Sequence, residues 1–478
     1  MQFFQPVRDR KHAKSLVDQV VAAIEQAIRS QVLRSGMALP SVRAFARVHG
    51  VSPFTVSAAY SRLVAQNWLV ARPGAGYRVA ARPVSNDVSS SARALDGWVP
   101  PALGAAWLLA DVFADHSIPI KSGCGWLPPE WLDEAGLRQA LRQVARTPVN
   151  QLAGYGHPYG YYPLRESICQ ALAAHGLPLV PDQVLLTQGA TQGLDIVIRT
   201  LLQPGDVIAV ELPSYANILP TLRLAGLKVC GISRNEDGLA LNELDALAQQ
   251  EDLKALFVTT VLHNPTGTSL SMSNAFRVLQ LAEQHDFRII EDDVSRDLLP
   301  DLGPMLAAMA GAGRVIQVSG FSKSIMPSMR VGYIAADAAL IREFAKTKMA
   351  LGLTTPEMME RTVYQVLRQG RHRAHLQRIQ ERLRDAHDEL CGLMDEHGLE
   401  IYARPRAGLF LWARLPGAWR EQGAARLAEM ALCDGIWLAP GAYFDPEQAH
   451  TGWVRFNVAY SRHTALWKFI FKALQASP

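Results

Sequence analysis

The sequence predicts an α/β chain in two parts, a small basic helical unit followed by a large domain on a mostly parallel sheet. Three observations carry this expectation. Apolar residues recur at helical spacing as far as Leu63, whereas beyond residue 107 short β-rich runs alternate with helical stretches, as strands joined by crossover helices do. Charge divides the same way: residues 1–82 hold twelve Lys and Arg against Asp9, Asp18 and Glu25, a net +9, which leaves −5 for the rest of a chain whose total is +4. At 478 residues the chain is also longer than one hydrophobic core supports.

With 49% hydrophobic and 19% charged residues, ordinary cores can be buried. No apolar stretch reaches the length of a membrane span, and the N-terminus, "MQFFQPVRDRKHAK", lacks the apolar core of a signal peptide, so a cytoplasmic protein is expected. Cys124, Cys169, Cys230, Cys391 and Cys433 are scattered without CxxC spacing and read as reduced core thiols, neither metal ligands nor disulfides.

The first helix is expected from Lys14 to about Ser30, with Leu16, Val17, Val20, Val21, Ile24 and Ile28 on one face. A second follows "GMALPS", capped by Ser41, with Val42, Phe45, Ala46 and Val48 inward. His49-Gly50 gives a tight turn, Ser52 an N-cap and Pro53 the first position of a third helix that buries Val56, Ala59, Tyr60 and Leu63. Two short helices around such a turn make a helix-turn-helix, and "WLVARPGAGYRVAAR" adds two short strands, the wing. This basic end is a candidate for binding a polyanion.

The run from "LPSVRAFARVHGVS" to "NWLVARPGAGYRV" resembles the GntR family of bacterial regulators over about 70 residues, which implies a winged helix that places its third helix in the major groove. On that resemblance Arg43, Arg47, Ser52, Phe54, Thr55, Arg62, Arg72 and Arg78 are the candidate DNA contacts. Pro53 and Phe54 stand where family members often carry a polar pair, so the operator sequence is not legible. Residues 83–106, rich in Ser, Pro and Ala, read as a linker between the unit of residues 1–82 and the domain of residues 107–478.

In the large domain, "QVLLTQG", "DVIAVE", "LKVCGIS", "LKALFVTT", "FRIIEDD" and "RVIQVSG" read as strands, and function in such sheets collects at their carboxyl ends. There "TQGATQGLD" offers backbone N–H groups and the Thr191 hydroxyl at a helix N-terminus, suited to a phosphate. Tyr215 in "ELPSY" can stack on a ligand ring or pack in the core. Asn264 in "HNPTG" is placed to hydrogen-bond a ligand, and Asp292 with Asp293 would be costly at a strand end without cations. A metal there lacks a third ligand at suitable spacing. Lys323 and Arg330 in "SGFSKSIMPSMRVGY" supply two cations.

Taken in order, "GATQG", "SY", "NPTG", "EDD", "FSK" and "RVGY", supported by "YGHPYGYYPLRESI" and "AGLFLW", resemble the fold-type I aminotransferases across most of residues 107–478. The resemblance implies a central sheet, a smaller C-terminal α+β subdomain, and pyridoxal 5'-phosphate held by Lys323 as a Schiff base. It implies further that Asp292 faces the pyridine nitrogen, Asn264 the phenolic oxygen and Tyr215 the ring, while Ala190, Thr191, Ser322 and Arg330 hold the phosphate. Tyr155 falls near the phosphate of a neighbouring subunit, implying a homodimer, and Arg455 matches the arginine that grips an amino acid's carboxylate. Two positions depart: Ser295 stands where a tyrosine usually shares the phenolic oxygen, and Gly320 where a Ser or Thr commonly touches phosphate.

A GntR-like unit fused to such a domain is the arrangement of the MocR branch of regulators. The resemblance implies a transcription factor that binds operator DNA, carries pyridoxal phosphate and responds to it or to an amino-acid or amine effector, with weak or vestigial transaminase activity. An active aminotransferase with an accessory DNA-binding module is the alternative, and a cofactor-free scaffold a third reading.

Overall fold

The computed structural model describes residues 15–29, 32–33, 36–66, 68–72, 76–80, 118–421, 423–445 and 451–475. Contacts divide the chain into two compact units, residues 1–99 and residues 100–478. The expected linker, 83–106, lies outside the described residues. Among those described, no helix is long and apolar enough to cross a membrane.

In the first unit, helices α1 (Leu16–Arg29), α2 (Val42–His49) and α3 (Pro53–Ala65) precede an antiparallel pair, β1 (Leu69–Arg72) and β2 (Gly76–Val79). Ser41 and Ser52 cap α2 and α3 by accepting from the Ala44 and Thr55 N–H groups. Gly50 ends α2 at φ 66°, a left-handed turn that glycine adopts without steric cost. Val20, Ile24, Phe45, Val56, Ala59, Tyr60 and Leu63 form the core. Tyr60 meets the rings of Phe45 and Tyr77 edge-on and donates its hydroxyl to the Pro40 carbonyl at 3.0 Å. Val48, expected inward, is exposed; it lies roughly 100° round the helix from the face shared by Phe45, Ala46 and His49.

The second unit is built on an eight-stranded sheet in the order β3-β10-β9-β8-β7-β4-β5-β6. Its strands are β3 (Val184–Thr187), β4 (Val207–Leu212), β5 (Lys228–Asn235), β6 (Gly238–Leu239), β7 (Leu253–Thr259), β8 (Arg288–Asp292), β9 (Val315–Gly320) and β10 (Gly332–Ala335). The six runs read as strands are all present. Those from β9 through β8, β7 and β4 to β5 pair in parallel, whereas β10 lies antiparallel between β3 and β9, and β6 is an antiparallel edge. Strands β6 and β10 are the two the sequence hides: β6 has two residues, and "GYIA" of β10 is short and follows a turn through Arg330 at φ 48°.

The parallel strands read as continuous apolar runs because both faces are covered. Leu186, Ala209, Leu256, Ile289 and Val315 enter one core, and their neighbours Leu185, Ile208, Phe257, Ile290 and Ile316 enter the other. A smaller antiparallel sheet, β11-β12-β14-β13, is formed by β11 (Glu400–Ile401), β12 (Phe410–Arg414), β13 (Ala439–Pro440) and β14 (Trp453–Asn457) over a third core. Cys124 and Cys169 are buried, but Cys230 and Cys391 are half-buried and Cys433 is exposed, which corrects the expectation of core thiols; Cys433 ends the helix Gly423–Cys433.

Candidate functional site

Because β4, β7, β8 and β9 run in one direction, their carboxyl ends open onto a common edge. Asp292 is the last residue of β8, and Lys323 follows the end of β9 by three positions. Tyr215 and Asn264 lie on the loops after β4 and β7. The helix Gly189–Leu201 begins beside them.

These side chains surround two cavities that share Thr191, Tyr215, Asn264, Ser322, Lys323 and Arg330. The smaller, about 110 Å³, adds Ala190, Asp292 and Ser295. The larger, about 480 Å³, adds Trp126, Trp437, Phe444 and Arg455. Eight of the nine residues expected around the cofactor, with Arg455, therefore line one continuous site. Tyr155 does not: it is 87% exposed and lines neither cavity.

Electrostatics within the site follow from burial. Lys323 donates to the Gly125 carbonyl, and desolvation, then the charge of Arg455, lowers its amine to about 8. Asp292 accepts from the Val294 N–H at 3.2 Å, and burial raises its carboxyl to about 7, opposed by that hydrogen bond and by the charge of Lys323. Arg455 is buried with carbonyl rather than carboxylate partners: it donates to Asn264 Oδ1 at 2.7 Å and to the Gly123 carbonyl at 2.5 Å. Its Nε is buried without a hydrogen-bond partner among the described residues, and the rings of Phe410 and Phe444 lie 4.4 and 4.8 Å from the guanidinium. Burial lowers its pKa to about 10.

The second strand-end carboxylate has another task. Asp293 is fully buried and receives Arg296 Nε at 2.5 Å and Gln317 Nε2 at 2.7 Å, so its cation lies three residues along the chain. Beneath the site, Arg234 and Glu211 form a buried ion pair, and Glu211 also accepts from the Thr259 N–H at 2.8 Å. That pair ties together the ends of β4, β5 and β7. His263 beside it is held neutral by desolvation and by Arg234, and braces the Asn264 turn through a 2.8 Å bond between Nδ1 and Thr266.

The residues fit a phosphorylated aromatic aldehyde. An amine of lowered pKa stands ready for the aldehyde, and a carboxyl near neutrality for a basic ring nitrogen. A helix N-terminus with the exposed Thr191 and Arg330 suits a phosphate. Gly189 is favoured there because it sits at φ 74°, a left-handed conformation that side chains rarely adopt, and a Cβ would also push the Arg330 guanidinium aside. Sequence reasoning missed Trp126, Trp437 and Phe444. Non-periodic aromatic runs beside Gly and Pro, "CGWLPP" and "GIWLAPGAYF", were the available signal.

In the N-terminal unit, Arg43 and Arg47 are exposed on α2 with no ion pair among the described residues. Phe54 is 83% exposed near the start of α3. Arg62 pairs with Asp18 at 2.6 Å, and Arg78 donates to the Gly36 carbonyl at 2.9 Å, so both have internal partners. The Ser52 hydroxyl is engaged by its capping bond and by Thr55 Oγ1 at 2.8 Å. Arg72 ends β1, and its side chain lies outside the described residues.

Residues 133–467 match the family Aminotransferase class I and II, and residues 16–79 match the bacterial regulatory proteins of the gntR family. The uncharacterized HTH-type transcriptional regulator YdcR of Escherichia coli is 27% identical over 92% of this chain and 94% of its own length. TauR of Rhodobacter capsulatus, also an HTH-type transcriptional regulator, is 29% identical over 94% and 93%. Among solved structures, LysN, the α-aminoadipate aminotransferase of Thermus thermophilus in complex with N-(5'-phosphopyridoxyl)-L-leucine, superposes with a TM-score of 0.68. It is 24% identical and covers 75% of this chain and 92% of that one, which establishes the fold.

Proposed function

The chain belongs to the aminotransferase class I and II family, and from that membership, joined to its gntR-type N-terminal unit, we propose that it is a pyridoxal-phosphate-dependent transcriptional regulator. The observation that carries the reading is the convergence of Lys323, Asp292 and Arg455 on one site in a chain that also bears a basic winged helix. TauR and the uncharacterized regulator YdcR support it, since this chain matches both HTH-type transcriptional regulators over nearly their whole length.

When bound, pyridoxal phosphate would supply an electron-poor ring and an aldehyde able to exchange amines. Lys323 would attach it, and Asp292 would hold a proton at the ring nitrogen. Ala190, Thr191, Ser322 and Arg330 would hold the phosphate, and Tyr215 would stack on the ring. Asn264 would face the phenolic oxygen, and Ser295 is buried at the cavity wall with too short a side chain to do what a phenol does. One lost neutral hydrogen bond costs about 0.5–1.5 kcal/mol, a modest loss to binding. Proton transfers, which depend on groups positioned at hydrogen-bond distance, suffer more.

The effector we propose is an amino compound bearing a carboxylate, with Arg455 as its anchor. The exposure of Tyr155 suits a side chain that reaches a second subunit, so the working form is a homodimer. The intact Lys323, Asp292 and Arg455 keep an active aminotransferase as the alternative. Mixing the holoprotein with amino acids separates the two: a shift of the cofactor's absorbance reports exchange, and keto-acid formation reports turnover. The regulator reading expects exchange with turnover well below ordinary enzyme rates of about 1–10³ per second. Turnover within that range would establish the aminotransferase instead.

A further inference from the structure

The ends of the larger cavity differ in chemistry, and on the regulator reading just given that difference identifies the class of effector. Lys323, Arg330, Ser322 and Thr191 cluster at the end nearer Asp292. Beyond the residues shared with the smaller cavity, the larger one is walled by Trp126, Trp437, Phe444, Ala216 and Ala439 with Asn217 and Ser328, and Arg455 stands between this wall and Asn264, to which it donates. Among the described residues, no Asp or Glu lines the larger cavity. The indoles of Trp126 and Trp437 stand with ring centroids 5.6 Å apart and planes inclined at 49°, offering flat apolar surface to a neighbouring group.

We infer that the effector is an α-amino acid with an uncharged aromatic side chain. Arg455, buried and held only by neutral oxygens, calls for one carboxylate. A second cationic group, as in a diamine or a basic amino acid, would enter a cavity lined by Lys323, Arg330 and Arg455, while Asp292 lines the smaller cavity beside it. A second carboxylate would be desolvated against indole and phenyl rings and met by neutral donors, Asn217, Ser328 and the Trp437 Nε1–H, rather than by a second free cation. An aromatic ring loses nothing polar there and gains ring contacts. Ala216 and Ala439 are the small side chains of the same wall.

The test is calorimetric titration of the holoprotein with L-phenylalanine, L-alanine, L-lysine, L-glutamate and phenethylamine. Phenylalanine is expected to bind at least tenfold more tightly than each of the other four. The Ala216→Leu variant should narrow the site, so that phenylalanine loses about tenfold more affinity than alanine does. Trp437→Leu, which keeps the wall apolar but removes a flat ring, should reduce the ratio of phenylalanine to alanine affinity. Lysine or glutamate binding as tightly as phenylalanine, or phenethylamine binding equally well, overturns the assignment while leaving a sensor of another compound. If none of the four amino acids binds, the aromatic amino-acid assignment falls, while the regulator reading still stands or falls on whether the cofactor changes DNA affinity.

Discussion

Lys323→Ala protein, purified and incubated with pyridoxal phosphate, is expected to lack the borohydride-reducible absorbance band of the wild type entirely. Attachment of an aldehyde needs a neutral amine. An ordinary lysine near 10.4 is about 0.04% neutral at pH 7, whereas one at about 8 is about 10% neutral. The lowering comes first from burial and then from Arg455, so it belongs to the folded site. The rate of attachment should therefore rise about tenfold per pH unit up to about 8 and level off above it. Stopped-flow absorbance at several pH values reads both effects. A band of wild-type intensity in the variant would remove Lys323 from its role.

Paired operator half-sites should bind the full-length protein about 10²–10⁴-fold more tightly than one half-site at the same salt concentration, because a dimer engages its second site intramolecularly. The prediction draws on the proposed dimer and on two α3 helices, one per copy. Arg43→Ala and Arg47→Ala should each lower the slope of log affinity against log salt by about 1, since each exposed guanidinium can neutralise a phosphate. Arg62→Ala should do less, because Arg62 must leave Asp18 first. Fluorescence anisotropy on duplexes carrying one or two half-sites measures the contrast, and equal affinities would exclude the paired mode.

Much of this was legible in the sequence because the signals were local. Ser41, Gly50, Ser52 and Pro53 fix the helix ends through caps and a left-handed turn, which depend on neighbours a few residues away. The inward set of α3 was readable from spacing, and the parallel strands announced themselves as apolar runs covered on both faces. Asp292, Asn264 and Lys323 could be located because strand ends collect function. Tertiary pairings were hidden. Nothing near Arg234 indicates that it neutralises Glu211, 23 residues away. The aromatic wall arrives from Trp126, Trp437 and Phe444, segments remote from the motif that carries Lys323. Val48 misled because an apolar residue on a short helix can fall outside its buried face.

The cofactor site and the DNA-binding unit are joined in the central claim, and reciprocal linkage requires that a ligand coupled to DNA binding change operator affinity. The most direct test is the affinity of the intact protein for an operator duplex, recovered by mapping its sites on its own genome, with and without pyridoxal phosphate. It is made at fixed salt on the wild type and on Lys323→Ala. The account predicts a change of about 5–150-fold in the wild type, the usual range of such coupling, and none in the variant. Equal wild-type affinities with and without the cofactor would contradict it.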